Sequence, residues 1–176
     1  MIKERNTVYD GFLTVEVLDV ETDSGVTVKR EVMKRPDAVS ALVYDRSKEK
    51  FIFVEQFRPG VNDKLVEIVA GTLDKPNEDP KEAINREVLE EIGYGEGIIT
   101  EIGNYYVSPG ANTEQVRVYF IEVGNQIAQG GGLEEEHEEI DIIEMDINEM
   151  INYEFKDMKT VIAVEWYISN LSTETD

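Results

Sequence analysis

Over its first third the chain alternates apolar and polar positions with a period of two. Leu13, Val15 and Val17 alternate with Thr14 and Glu16, and Val26, Val28 and Val32 alternate with Thr27 and Glu31. Asp23-Ser24-Gly25 supplies turn chemistry between them, so residues 12–34 are expected to form an antiparallel hairpin. Pro36 interrupts the pattern. Ala38–Tyr44 and Phe51–Phe57 then read as apolar strands around the turn Asp45-Arg46-Ser47-Lys48, and Leu65–Ala70 as a short further strand. After Pro80 the period changes to that of a helix, because Ile84, Val88 and Ile92 recur every four residues. Pro80 fits a first helical turn, and Gly93 is placed to end the helix. Strands are expected again at Ile98–Val107, Glu114–Val123 and Ile140–Met145. Ser108-Pro109-Gly110 reads as a turn, Gly130-Gly131-Gly132 as a flexible hinge, and residues 172–176 as a frayed tail. Asp157 can cap a last helix, whose Met158, Val161, Ile162, Val164, Trp166 and Ile168 should cover the sheet face opposite the first helix.

A chain of 176 residues, 41% apolar, is the size of one domain or of one domain with an appendage. It has no apolar run of membrane-spanning length, and its first ten residues are too polar for a signal peptide. Without cysteine it has neither a disulfide framework nor thiolate metal sites, which fits a cytoplasmic location. A net charge of −21 argues against nucleic acid and anionic membranes as partners. It does not argue against a small phosphate ester if cations and local arginines invert the field at the site.

The helix after Pro80 concentrates the candidate chemistry. Glu87, Glu90 and Glu91 fall at i, i+3 and i+4, and so share an arc of about 100°. That arc borders the apolar stripe, since Glu91 lies only about 20° from Ile84 around the wheel. Crowded carboxylates repel unless a positive charge joins them, and their hard oxygens suit magnesium or manganese. A solvated acidic face is the other reading, and the helix pattern by itself leaves both open.

Gly71, Glu78, Arg86, Glu87, Val88, Glu90, Glu91 and Gly93 together resemble the signature of the Nudix hydrolases. The interval from Glu78 to Arg86 is that of the family. The interval from Gly71 to Glu78 is one residue longer, and Tyr94 replaces the usual closing aliphatic residue. The resemblance implies an α/β fold: an α/β/α sandwich with a mixed sheet at residues 36–176, preceded by an N-terminal antiparallel β subdomain at residues 1–35. It also implies a homodimer.

The same resemblance, strongest to the ADP-ribose and GDP-mannose pyrophosphatases, implies magnesium-dependent cleavage of a nucleoside diphosphate sugar. Glu87, Glu90, Glu91 and the Ala70 carbonyl would hold the metal, with manganese as a possible substitute. The acidic run after the three glycines resembles a catalytic loop, in which Glu136 would be the base and Glu138 a further metal ligand; Glu91 is the second catalytic candidate. Arg58 follows Glu55-Gln56-Phe57 and would clamp the diphosphate. Gly71 and Ser108 are further candidate substrate contacts. Glu67 reads either as a substrate contact or as a structural pair. Pro109, fifteen residues past Tyr94, matches members that act on ADP-ribose, although a turn proline explains it equally. Arg30, in the cluster Lys29, Arg30, Lys34 and Arg35, reads as a phosphate or partner contact or as an ordinary solvated residue. His137, the single histidine, excludes a histidine-rich metal site. Two other classes compete: a nucleotide-sugar sensor, which would be expected to lack box glutamates, and a calcium-binding protein, which would need loop carboxylates at different spacing.

Overall fold

The computed structural model describes residues 1–73, 75, 77–132 and 139–171. Three strands, β1 (Ile2–Asp10), β2 (Thr14–Glu21) and β3 (Thr27–Lys34), form an N-terminal antiparallel sheet in the order β1-β2-β3. The expected hairpin is therefore the inner and outer part of a three-stranded sheet. β1 gave no strand signal because Lys3-Glu4-Arg5-Asn6-Thr7 is polar on both faces, and all nine of its residues are exposed. The sheet joins the rest of the molecule at the foot of β3. There the Met33 N–H donates to the Ala111 carbonyl (2.8 Å), and the Thr113 N–H donates to the Met33 carbonyl (3.1 Å).

The second sheet has seven strands: β4 (Ala38–Asp45), β5 (Lys50–Arg58), β6 (Asp63–Glu67), β7 (Val69–Thr72), β8 (Ile98–Tyr106), β9 (Gln115–Val123) and β10 (Ile140–Met145). Its main order is β10-β5-β4-β9-β8, with β6 on β5 and β7 on β4. The sheet is mixed because β4 and β9 run parallel while the other pairs are antiparallel. The single strand expected at Leu65–Ala70 is divided at Ile68, where the chain leaves β5 for β4. The freed Ile68 N–H donates to Thr160 Oγ1 at 3.0 Å, so the break leaves no orphan donor.

Helix α1 (Pro80–Ile92) covers one face of this sheet and α3 (Met158–Leu171) the other. Ile84, Val88 and Ile92 pack on Val39, Ala41, Val43, Tyr119 and Ile121. Ala163 and Val164 pack on Leu42, Val118 and Phe120, which point the opposite way from the same strands, and on Phe53 of β5. This is the α/β/α sandwich expected from the sequence. A short helix, α2 (Ile147–Asn152), follows β10 under a capping box in which Asp146 and Glu149 each bond the other's backbone N–H.

Candidate active site

Two cavities meet along β7. One, of about 510 Å³, is walled by Glu87, Glu90, Glu91 and Arg86 of α1, by Ala70, Gly71 and Thr72, by Gln56 and Arg58, and by Phe12, Leu13, Lys34, Arg35 and Pro36. The other, of about 290 Å³, shares Arg35, Arg58, Ala70, Gly71 and Thr72 with it. It adds an apolar wall of Tyr105, Val107, Val116, Val118, Met158 and Ile162, together with Glu114, Asp157 and Lys159. The result is one trough with a charged half and an apolar half.

The charged half depends on how α1 is mounted. Asp79 caps the helix by accepting the Lys81 N–H (2.8 Å), Pro80 opens it, and Gly93 closes it at φ 77°. Glu91 is 5% exposed, as its place beside the apolar stripe predicts. Arg86 supplies positive charge to its neighbours. It donates to Glu78 through Nε (3.1 Å) and Nη2 (3.3 Å), and its Nη1 lies 2.7 Å from Glu87 Oε1 and 3.0 Å from Glu90 Oε2. The hydrogen bond to Glu78 does most to raise the Arg86 pKa, and Arg86 in turn holds the Glu78 carboxyl below its usual range. The pairing of Glu78 with Arg86 thus survives the longer interval before it. Asn77 adopts a left-handed conformation there (φ 62°), which asparagine tolerates well.

The donors on this wall are carboxylates, with Ala70 adjacent, and that set fits a hard divalent cation. Gly71 brings its backbone against Glu87: a Cβ there would lie 2.0 Å from Glu87 Cδ, so any other residue would push the Glu87 carboxylate out of this position. Among the described residues no three acidic side chains already converge at metal-ligand spacing. Glu87 and Glu90 are engaged by Arg86, and a cation would compete with that guanidinium for them.

Arg58 lies where the two halves join. Its Nε donates to Glu67 Oε1 (2.6 Å) and its Nη2 to Glu67 Oε2 (3.0 Å). Lys159 also donates to Glu67, and it pairs with Asp157 at 3.0 Å. Burial opposes ionisation of Glu67, but Arg58 and Lys159 outweigh it and hold the carboxyl below its usual range. Burial likewise opposes the Arg58 charge, and Glu67 more than offsets it. Glu67 is on neither cavity wall, and its carboxylate is paired with Arg58 and Lys159.

Other candidates from the sequence fall outside the trough. Arg30 is exposed on β3 and donates to the Lys29 carbonyl. Ser108 and Pro109 line neither cavity; the Ser108 carbonyl accepts the N–H groups of Ala111 (3.1 Å) and Asn112 (2.8 Å), building the turn that receives β3. Glu136, Glu138 and His137 lie outside the described residues. Sequence reasoning missed Arg35, Lys34 and Lys159. The first two belong to the basic cluster from which Arg30 was chosen, and Lys159 follows the recognised helix cap by two positions.

Gly130-Gly131-Gly132 is not a free hinge, because it is hydrogen-bonded to the end of α1. The Gly131 N–H donates to the Glu91 carbonyl (2.7 Å) and the Gly132 N–H to the Glu90 carbonyl (3.2 Å).

The sequence model of the NUDIX domain matches residues 34–164, which include the whole trough except Phe12 and Leu13. The chain belongs to the Nudix family. It is a hydrolase that acts on diphosphate bonds. Among similar Nudix relatives, the methanol dehydrogenase activator of Bacillus methanolicus is 35% identical over 156 residues, covering 86% of this chain and 83% of that protein. The ADP-ribose pyrophosphatase of Bacillus subtilis is 34% identical over 154 residues (85% and 82%). The GDP-mannose pyrophosphatase of Citrobacter koseri is 31% identical over 178 residues (94% and 87%). A solved ADP compounds hydrolase superposes with a TM-score of 0.81 over 99% of this chain and 95% of its own. At 22% identity that likeness concerns the Nudix fold alone. No helix among the described residues is long and apolar enough to cross a membrane.

Proposed function

We propose that this Nudix hydrolase cleaves the diphosphate of a nucleoside diphosphate sugar, of ADP-ribose or GDP-mannose type, to a nucleoside monophosphate and a sugar phosphate. The observation that carries the reading is the trough itself: a carboxylate-lined, arginine-flanked half continuous with an apolar half. A diphosphate fits the first and a base or sugar the second. The names of the relatives support the substrate class.

Glu87, Glu90, Glu91 and the Ala70 carbonyl would hold magnesium or manganese. The cation, when bound, neutralises charge on the diphosphate and acidifies a water. Arg58, held rigidly by Glu67, presents its remaining donors to phosphate oxygen, and Arg35 approaches the same stretch from the N-terminal side. A glutamate removes the proton from the attacking water, with Glu136 as first candidate and Glu91 as second, while Glu138 would add a metal ligand. We further assign the protein to the cytoplasm as a homodimer.

Incubation with a panel of nucleotide sugars and magnesium, with products separated by chromatography, tests this. Turnover to a monophosphate and a sugar phosphate is expected. Binding of a nucleotide sugar without any turnover would make the chain a sensor and overturn the proposal.

A further inference from the structure

Helix ends leave carbonyls without partners, and most such ends rely on water or a local turn. The end of α1 relies on a local turn for only part of its need. The Val88 carbonyl accepts the Tyr94 N–H (3.3 Å) and the Leu89 carbonyl the Gly93 N–H (3.0 Å). The next four carbonyls are all met from one distant segment. Glu90 receives Gly132 and Glu91 receives Gly131. Ile92 receives Gln126 Nε2 (3.0 Å), and Gly93 receives both Ile127 (2.8 Å) and Ala128 (3.0 Å).

Two glycines make this contact possible, one from each side. A Cβ on Gly130 would lie 2.7 Å from the Glu91 carbonyl oxygen and 2.7–2.8 Å from the Ile92 backbone. A Cβ on Gly93 would lie 2.2 Å from the Ala128 carbonyl oxygen. Those neighbours are backbone atoms and cannot rotate away. Gly130, Gly131 and Gly132 also have φ of 70°, 106° and 84°, a region that side chains disfavour.

We propose that Gln126–Gly132 is a clamp that fixes the last turn of α1, and that Gly130 is a positioning residue for the carboxylates of Glu90 and Glu91. The inference rests on the reading that these groups hold a divalent cation. The clamp grips the backbone of Glu90 and Glu91, two of the four α1 residues whose side chains wall the charged half of the trough. A shift of that turn therefore moves both carboxylates together relative to Ala70 and Glu87. Metal sites are sensitive to such displacement, because outer contacts orient the ligands.

Mn²⁺ binding to the full chain, followed by electron paramagnetic resonance of the free ion, tests the clamp without reference to turnover. Gly130→Ala should weaken Mn²⁺ affinity by about tenfold or more while far-UV circular dichroism stays that of the parent. Gln126→Ala removes one clamp bond without backbone strain and should weaken it in the same direction by less. Gly124→Ala, whose Cβ meets nothing within 4 Å, should change nothing. A role confined to folding would lower the melting temperature and leave the affinity of the folded protein intact; that result in Gly130→Ala overturns the proposal. Should Gly130→Ala fail to fold, unchanged affinity in Gln126→Ala overturns it instead. A parent protein that takes up no Mn²⁺ would overturn the metal reading, and the clamp's role with it.

Discussion

Glu67 is 2% exposed and carries two cations, so its charge state links stability to the shape of the trough. Its folded pKa is lowered. The stabilisation it gives is therefore complete above the unfolded carboxylate pKa of about 4.3 and is lost as pH falls through the lower folded value. Glu67→Gln should cost about 1–3 kcal/mol at neutral pH, because Arg58 and Lys159 lose the negative charge and one of the two acceptor oxygens they share. The gap between variant and parent should close on acidification. Urea unfolding at a series of pH values from about 7 down to about 3 measures this, and a gap independent of pH would show that the pair contributes nothing through charge. Residues of this kind were only partly legible. The glutamates of α1 and Arg58 were picked out by the family resemblance; spacing alone left a solvated acidic face open, and a strand-end arginine is an ordinary surface charge. Within the cluster from Lys29 to Arg35 nothing local distinguishes Lys34 and Arg35, which line the trough, from Arg30. Arg35 lines it because β3 ends at the body of the molecule, where its N–H reaches Thr113 Oγ1 (3.0 Å), whereas Arg30 lies farther up the exposed sheet.

Among the elements, α1 was fully legible because stripe, first-turn proline and terminal glycine agree, and its ends lie where those signals put them. β6 and β7 were not separable, since an apolar run says nothing of a change of partner strand. The capping box of α2 was present in the sequence as Asp146-x-x-Glu149 and went unread. Tyr94, the departure from the usual signature, shows how α1 is tied to the β4–β5 turn. Its ring is buried with the core, and its hydroxyl donates to Asp45 Oδ2 at 2.7 Å. Burial, reinforced by Asp45, pushes the phenol up to about 12, so it remains a donor throughout the neutral range. Asp45 Oδ1 meanwhile accepts from the Ser47 N–H and hydroxyl, both at 2.7 Å. Tyr94→Phe keeps the packing and removes the donor to a fully buried carboxylate. It should destabilise the protein by about 1–3 kcal/mol in urea unfolding, with KM unchanged. A KM that rises with the loss of stability would mean that the β4–β5 turn reaches the trough.

At the scale of the whole molecule, charge and exposed apolar surface are distributed unequally. Residues 1–35 carry six basic and seven acidic side chains, a net −1, so −20 of the total −21 belongs to the rest of the chain. The N-terminal sheet is therefore the surface on which a second copy meets least repulsion. It also has the most to cover. Val8 is 61% exposed, Tyr9 58% and Phe12 97%, on or beside an edge strand that is exposed along its whole length. A long exposed edge strand invites pairing, and a small sheet without a second layer is marginal by itself. A homodimer joined through this sheet meets both needs, burying about 800 Å² on each chain if it is of standard size. Sedimentation should give twice the chain mass for the parent protein, and Val8→Glu with Tyr9→Glu should give the monomer. Salt separates this from simple ion pairing. In such a dimer the two bodies would repel each other while the contact would be mainly apolar, so raising ionic strength from about 0.01 to 0.15 M should tighten it by screening that repulsion. A dimer that loosens over that range would be held by charge pairs, and a parent protein that remains monomeric throughout would leave the sheet unpaired.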